Sequence, residues 1–246
     1  MTNKYMYFVA NWKMFGNLKS INTLDKVIKF SKSNQIKKGR LIYCPPYTLI
    51  TSFFKKFENC LIDIGAQNCH ESEDYGSHTG SINPKMLKSI GANYVLLGHS
   101  ENRKNGETDE LINQKIKSAV KAKLKIIFCI GETLSEKKRG KTRSVLSKQI
   151  KHGLKKIKKK SNIFIAYEPV WSIGTGKIPK SKELNQAIEF IKRQFKGKLP
   201  KILYGGSVNP KNINYLKQIR SLDGFLIGGA SQSAKKFIDI VKKTYN

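Results

Sequence analysis

Short apolar, β-branched or aromatic runs alternate with amphipathic segments along the whole 246-residue chain, and this rhythm limits the possible folds more than any other feature. Strand-like runs fall at Tyr5–Val9, Arg40–Cys44, Leu61–Ala66, Tyr94–Leu97, Lys125–Ile130, Ile163–Tyr167, Lys201–Tyr204 and Gly224–Ile227. Each is short and apolar enough to be buried on both faces, as parallel strands are. Between them, apolar residues recur at helical spacing. Asp109–Lys121 carries Leu111, Ile112, Ile116 and Ala119, and Val145–Lys160 carries Leu146, Ile150, Leu154 and Ile157. Lys182–Lys196 and Ala234–Tyr245 repeat the pattern. Strict alternation predicts parallel strands joined by right-handed crossovers. Eight units in this length predict an α/β fold, a closed parallel (β/α)8 barrel. An open doubly wound sheet is the alternative, but it has fewer strands and a G-x-G-x-x-G turn after the first. Here that position reads Asn11-Trp12-Lys13-Met14-Phe15-Gly16. With no linker or low-complexity tract, a single domain over residues 1–246 is expected.

Composition narrows the function classes. No apolar run of about 18 residues occurs, so no membrane span is expected. The N-terminus lacks the basic and apolar regions of a secretion signal. Cys44, Cys60, Cys69 and Cys129 form no C-x-x-C pair, which fits reduced thiols and a cytoplasmic location. The net charge is +30, from 47 Lys and Arg against 17 Asp and Glu. Nucleic acid is an unfavoured partner all the same. The lysines interleave with apolar positions on helices, and no aromatic residues alternate with them as single-strand binding requires. The same positive field attracts a small anionic substrate.

In a closed barrel the C-terminal ends of all strands open onto one face, where groups distant in sequence meet. Those ends carry Asn11 and Lys13, Gln67 and Asn68, His99, Ser100 and Glu101, Cys129 and Glu132, Glu168, Gly205-Gly206-Ser207, and Gly228-Gly229. Glu168 closes a buried strand just before Pro169, and a loop with Trp171, Gly174, Gly176 and Lys177 follows. A carboxylate fixed beside a hinged flap suggests a base working under a lid. Taken singly, each residue is weak: a lone histidine is more often structural and a lone lysine solvated. Together they supply a base, an imidazole, an ammonium and two Gly-rich turns whose N–H groups can hold an anion. Gly174-Thr175-Gly176-Lys177 is not a nucleotide loop, because Trp171 stands where its first glycine belongs and Ile178 where Ser or Thr belongs. No second histidine lies at ligand spacing from His99, so no metal site is legible. Cys129 reads as a buried inert thiol, and Glu132 as a partner of some strand-end group.

Seven motifs, in order from Asn11 to Ser231, resemble the triosephosphate isomerase family. They are Asn11-Trp12-Lys13-Met14, Gly98-His99-Ser100-Glu101, Cys129-Ile130-Gly131-Glu132, Ala166-Tyr167-Glu168-Pro169-Val170-Trp171, Gly174-Thr175-Gly176-Lys177, Tyr204-Gly205-Gly206-Ser207-Val208 and Gly228-Gly229-Ala230-Ser231. The resemblance implies a homodimeric (β/α)8 isomerase of glycolysis and gluconeogenesis that interconverts dihydroxyacetone phosphate and glyceraldehyde 3-phosphate without a cofactor. It implies Glu168 as the base and His99 as the neutral electrophile. It implies Lys13 as the cation at the enediolate and phosphate, and Asn11 as the residue orienting the first strand's end. Ser100, Glu101 and Cys129 become supporting residues; Gly174, Ser207, Gly228 and Gly229 become backbone phosphate contacts; Val170–Lys177 becomes the lid. Two departures fall elsewhere. One arginine of the usual pair after His-Ser-Glu is Asn102, and Thr79-Gly80-Ser81-Ile82-Asn83 lacks the glutamate expected to reach an arginine across the dimer.

Overall fold

A computed structural model describes residues 4–33, 38–158, 160 and 162–246. Eight parallel strands close on themselves in sequence order. They are β1 (Met6–Asn11), β2 (Gly39–Cys44), β3 (Ile62–Ala66), β4 (Tyr94–Leu97), β5 (Lys125–Ile130), β6 (Ile163–Tyr167), β7 (Lys201–Tyr204) and β8 (Gly224–Ile227). β8 pairs back onto β1 with Phe8 opposite Phe225 and Ala10 opposite Ile227. The expected strands are all present. The first runs two residues further than its apolar pattern, because Asn11 still pairs in register with Cys44.

Side-chain alternation divides the core into two layers. Val9, Ile42, Tyr94, Leu96, Ile127, Cys129, Phe164, Ala166, Leu203 and Leu226 fill the barrel interior. The intervening positions, such as Phe8, Val95, Phe128, Ile165 and Tyr204, pack outward against the helices. This period of two locates the site. Continuing the inward series to the end of each strand and beyond leads to Asn11 as the last residue of β1 and Lys13 after it, Gln67 after β3, Glu168 after β6, Gly205 after β7 and Gly228 after β8. β4 breaks the rule. Its inward residues are Tyr94 and Leu96, and Gly98, at φ +74°, turns the chain so that His99 enters the barrel mouth. An L-residue tolerates that φ poorly.

The helices confirm their apolar faces more faithfully than their ends. Asp109–Lys121 and Ala234–Tyr245 match the expected spans, the first capped by Thr108 accepting from the N–H of Leu111. The helix expected over Val145–Lys160 runs instead over Thr142–Gly153, and Lys156 lies at φ +61° beyond it. Leu154 and Ile157 are buried from a turn rather than a helix; Lys159 lies outside the described residues. The helix expected over Lys182–Lys196 spans Ser181–Arg193 and stops short of Gly197, itself at φ +76°.

Candidate active site

Asn11, Lys13, His99, Glu168, Gly174, Ser207, Gly228 and Gly229 line one cleft of about 590 Å³ at the C-terminal mouth of the barrel. Ser100, Glu101 and Cys129 stand behind it. Among the described residues, no helix is long and apolar enough to cross a membrane, and no group of three or more His, Cys, Asp and Glu side chains gathers to hold a metal.

Glu168 is 3% exposed. Its backbone is pinned by an N–H bond to Ile130 O at 2.8 Å, and the next strand is tied to it through Gly205 N–H to Tyr167 O at 2.8 Å. A Cβ on Gly205 would come within 2.6 Å of Glu168 Cγ, so only glycine leaves room for the carboxylate. Burial raises the Glu168 carboxyl above its ordinary value; His99, the Cys129 thiol and Lys13 offset only part of this. Oε1 lies 3.4 Å from His99 Nε2, and Oε2 is buried without a hydrogen-bond partner among the described residues. A buried carboxylate oxygen with nothing to accept is a strong proton acceptor poised for a ligand.

His99 caps the short helix Ser100–Lys104, and its Nδ1 accepts the N–H of Glu101 at 3.2 Å. A ring nitrogen that accepts cannot carry the proton, so the neutral ring holds its proton on Nε2, facing Glu168 and the cleft. Arg103 braces this turn. Its Nε donates to Gly98 O at 2.8 Å and its Nη1 pairs with Asp109 at 2.6 Å. The change at Asn102 therefore leaves the histidine turn supported.

Lys13 sits at φ +56°, a left-handed conformation costing about 1–2 kcal/mol. Two hydrogen bonds hold it there: its N–H donates to Asn11 Oδ1 at 3.1 Å, and Gln67 Nε2 donates to its carbonyl at 2.9 Å. Nζ pairs with Glu101 Oε1 at 2.5 Å. Burial alone would raise the Glu101 carboxyl, but the Lys13 bond, the neighbouring His99 ring and the Lys13 charge prevail and hold it below its usual range. Gln67 had no role assigned from sequence. Its inward position at a strand end was the signal available.

The segment after Pro169 is fastened at both ends. Trp171 Nε1 donates to Glu132 Oε1 at 3.0 Å and Tyr167 OH donates to Glu132 Oε2 at 3.1 Å. Burial raises the Glu132 carboxyl, with these donors opposing. Lys137 Nζ lies 4.0 Å above the Trp171 ring. Ser172 Oγ lies 2.9 Å from Tyr204 OH, donates to Lys177 O at 2.5 Å, and accepts the N–H of Ser207 at 3.3 Å. This segment is thus bonded to the β7 turn, through a serine that sequence reasoning passed over. The β8 turn is shaped by Ser231, whose Oγ and N–H both donate to Gly228 O at 2.7 and 2.8 Å. Lys211 and Lys236 also line the cleft and carried no legible signal.

Fold and site together define a (β/α)8-barrel enzyme with its chemistry at the C-terminal strand ends. The family model described as triosephosphate isomerase matches residues 6–244. A triosephosphate isomerase of Thermodesulfovibrio yellowstonii is 41% identical over 245 residues, covering 96% of this chain and 98% of that protein. One of Dictyoglomus turgidum is 40% identical over 243 residues, covering 95% and 97%. The crystal structure of triosephosphate isomerase from Bartonella henselae superposes with a TM-score of 0.88 at 34% identity, covering 98% of this chain and all of that one. The chain belongs to the triosephosphate isomerase family.

Proposed function

We propose that the protein interconverts dihydroxyacetone phosphate and D-glyceraldehyde 3-phosphate through an enediolate, in glycolysis and gluconeogenesis. The observation that carries this reading is the unpartnered, buried Oε2 of Glu168, whose Oε1 lies 3.4 Å from His99 Nε2. Glu168 takes a proton from the carbon next to the carbonyl and returns it to the neighbouring carbon. His99 donates to the carbonyl oxygen as negative charge builds on it, and the Lys13 ammonium stabilises that charge. This division between a glutamate base and a neutral histidine is the one established for triosephosphate isomerases. Desolvation strengthens Glu168 as a base, and the neutral imidazole polarises the carbonyl without an ion pair to break first.

The N–H groups around Gly174, Ser207, Gly228 and Gly229 are proposed to grip the phosphate, far from the reacting carbons, so that binding energy closes the lid. A closed, dry site keeps the enediolate from expelling phosphate. We further propose one domain, a cytoplasmic location and a homodimer; nucleic acid has no part in this reading. The dimer rests on the 71–83 loop, exposed over residues 74–81, and on Met14, fully exposed beside Lys13, with Phe15 and Leu18 exposed next to it. A chain sedimenting as a fully active monomer contradicts the dimer. The activity itself is tested by a coupled assay on glyceraldehyde 3-phosphate with no added metal or cofactor. Sustained turnover is expected, and its absence in folded protein refutes the assignment.

A further inference from the structure

Three cationic side chains, Lys13, Lys211 and Lys236, line the cleft, against one carboxylate, Glu168. Lys13 is committed to Glu101. Lys211 and Lys236 are exposed, and neither forms an ion pair among the described residues. Their backbones are fixed. The Lys211 N–H donates to Asn209 Oδ1 at 2.9 Å, and the Lys236 N–H to Ser233 Oγ, the cap of the last helix, at 3.4 Å. The two elements are also locked together. Lys243, about two turns beyond Lys236 on the same helix face, donates from Nζ to Pro210 O at 3.1 Å, next to Lys211. That face of the helix is therefore turned toward the segment carrying Lys211. Lys211 follows the β7 turn that carries Ser207, and Lys236 lies in the helix that follows the β8 turn carrying Gly228 and Gly229. The cleft is of a size that encloses drug-sized ligands, more than a three-carbon monophosphate fills.

We propose that Lys211 and Lys236 form an outer anion site beside the inner phosphate turns, which takes the second phosphate of a diphosphate or bisphosphorylated ligand. The proposal rests on the reading of those turns as the substrate's phosphate grip. Two unpaired ammonium groups at a concave mouth concentrate anions and bind phosphate as point charges. A ligand with one phosphate inside and one outside uses both sets of donors.

The test measures competitive inhibition of isomerase turnover by inorganic phosphate and by inorganic pyrophosphate, in metal-free buffer at fixed ionic strength. In the unaltered protein pyrophosphate should inhibit at least tenfold more tightly than phosphate. The double variant Lys211→Gln/Lys236→Gln should lose most of that advantage while its phosphate constant moves less than twofold. Lys196→Gln/Lys198→Gln, which removes two exposed lysines outside the cleft, should keep the advantage and so separates a local site from the general field. Equal inhibition by the two anions in the unaltered protein, or an advantage that survives in the first variant, overturns the outer site. Turnover with intact phosphate competition in those cases leaves the functional reading standing. Absence of both turnover and phosphate competition overturns that reading and the outer site with it.

Discussion

The two halves of the cleft are built from different materials. On the side of β4, β5 and β6, the working groups are side chains withdrawn from water: His99 and Glu168 are 5% and 3% exposed, backed by Cys129, which is fully buried. On the side of β7 and β8, the grip is assigned to backbone N–H groups of short turns, ringed by exposed lysines. A proton passed between adjacent carbons needs one acceptor held to within a fraction of an ångström, and its strength depends on desolvation. A phosphate dianion has many equivalent oxygens and can be shared among several donors, none of which is indispensable. The first half should therefore be brittle to small changes and the second tolerant of them.

The sharpest way to break this contrast is Glu168→Asp. Withdrawing the carboxylate by one methylene should lower kcat by about 100-fold or more, with an unchanged circular dichroism spectrum. A variant keeping most of its turnover removes Glu168 from its role. Gly205→Ala comes next. The added methyl sits 2.6 Å from Glu168 Cγ and must displace the base, so kcat should fall about tenfold or more while KM changes less. Equal turnover would show that the base is held elsewhere.

The pH profile sharpens the same point. Because burial raises Glu168, the base form is lost as pH falls through a value above the ordinary carboxylate range of about 4.3. The acid limb of kcat/KM should accordingly lie above that range. The sign for stability is opposite. A carboxyl raised on folding favours the native state below its unfolded value and opposes it once pH rises through the folded value. Glu168→Gln should therefore melt at a higher temperature than the parent at pH 7, with the gap narrowing as pH falls. A gap that widens in acid contradicts the assignment of desolvation as the cause. The smallest effect is expected from Ser207→Ala. The contact proposed there comes from the backbone N–H, and kcat/KM should change less than about fivefold. A loss comparable to that of Glu168→Asp would erase the distinction between the halves.

The sequence made the barrel legible because parallel strands are apolar on both faces and stand out as short runs. The site followed wherever the inward series simply continued to a strand's end or past it, as at Asn11, Glu168 and Gly228. It was illegible where two segments had to meet first. The Ser172–Tyr204 contact joins the segment after Pro169 to β7, and the Trp171–Glu132 bond joins it to the end of β5. Neither pairing exists until the barrel closes. Helix ends were the other weakness. Leu154 and Ile157 have the spacing of a helix and are buried like one, yet Gly153 ends it, so an apolar period alone does not say whether the backbone delivering it is helical.

The thiol behind Glu168 has a further consequence, for chemical damage rather than catalysis. Thiols attack oxidants and alkylating agents as thiolates. Burial and the adjacent carboxylate both hold Cys129 far above the ordinary thiol value. Burial does the same to Cys44 and pushes Cys69 up to about 12. Cys60 is the least buried of the four, and it precedes β3, at the barrel end away from the cleft. Iodoacetamide or peroxide at neutral pH should therefore mark Cys60 first in a mass-spectrometric map, and spend itself where losing a thiol costs no turnover.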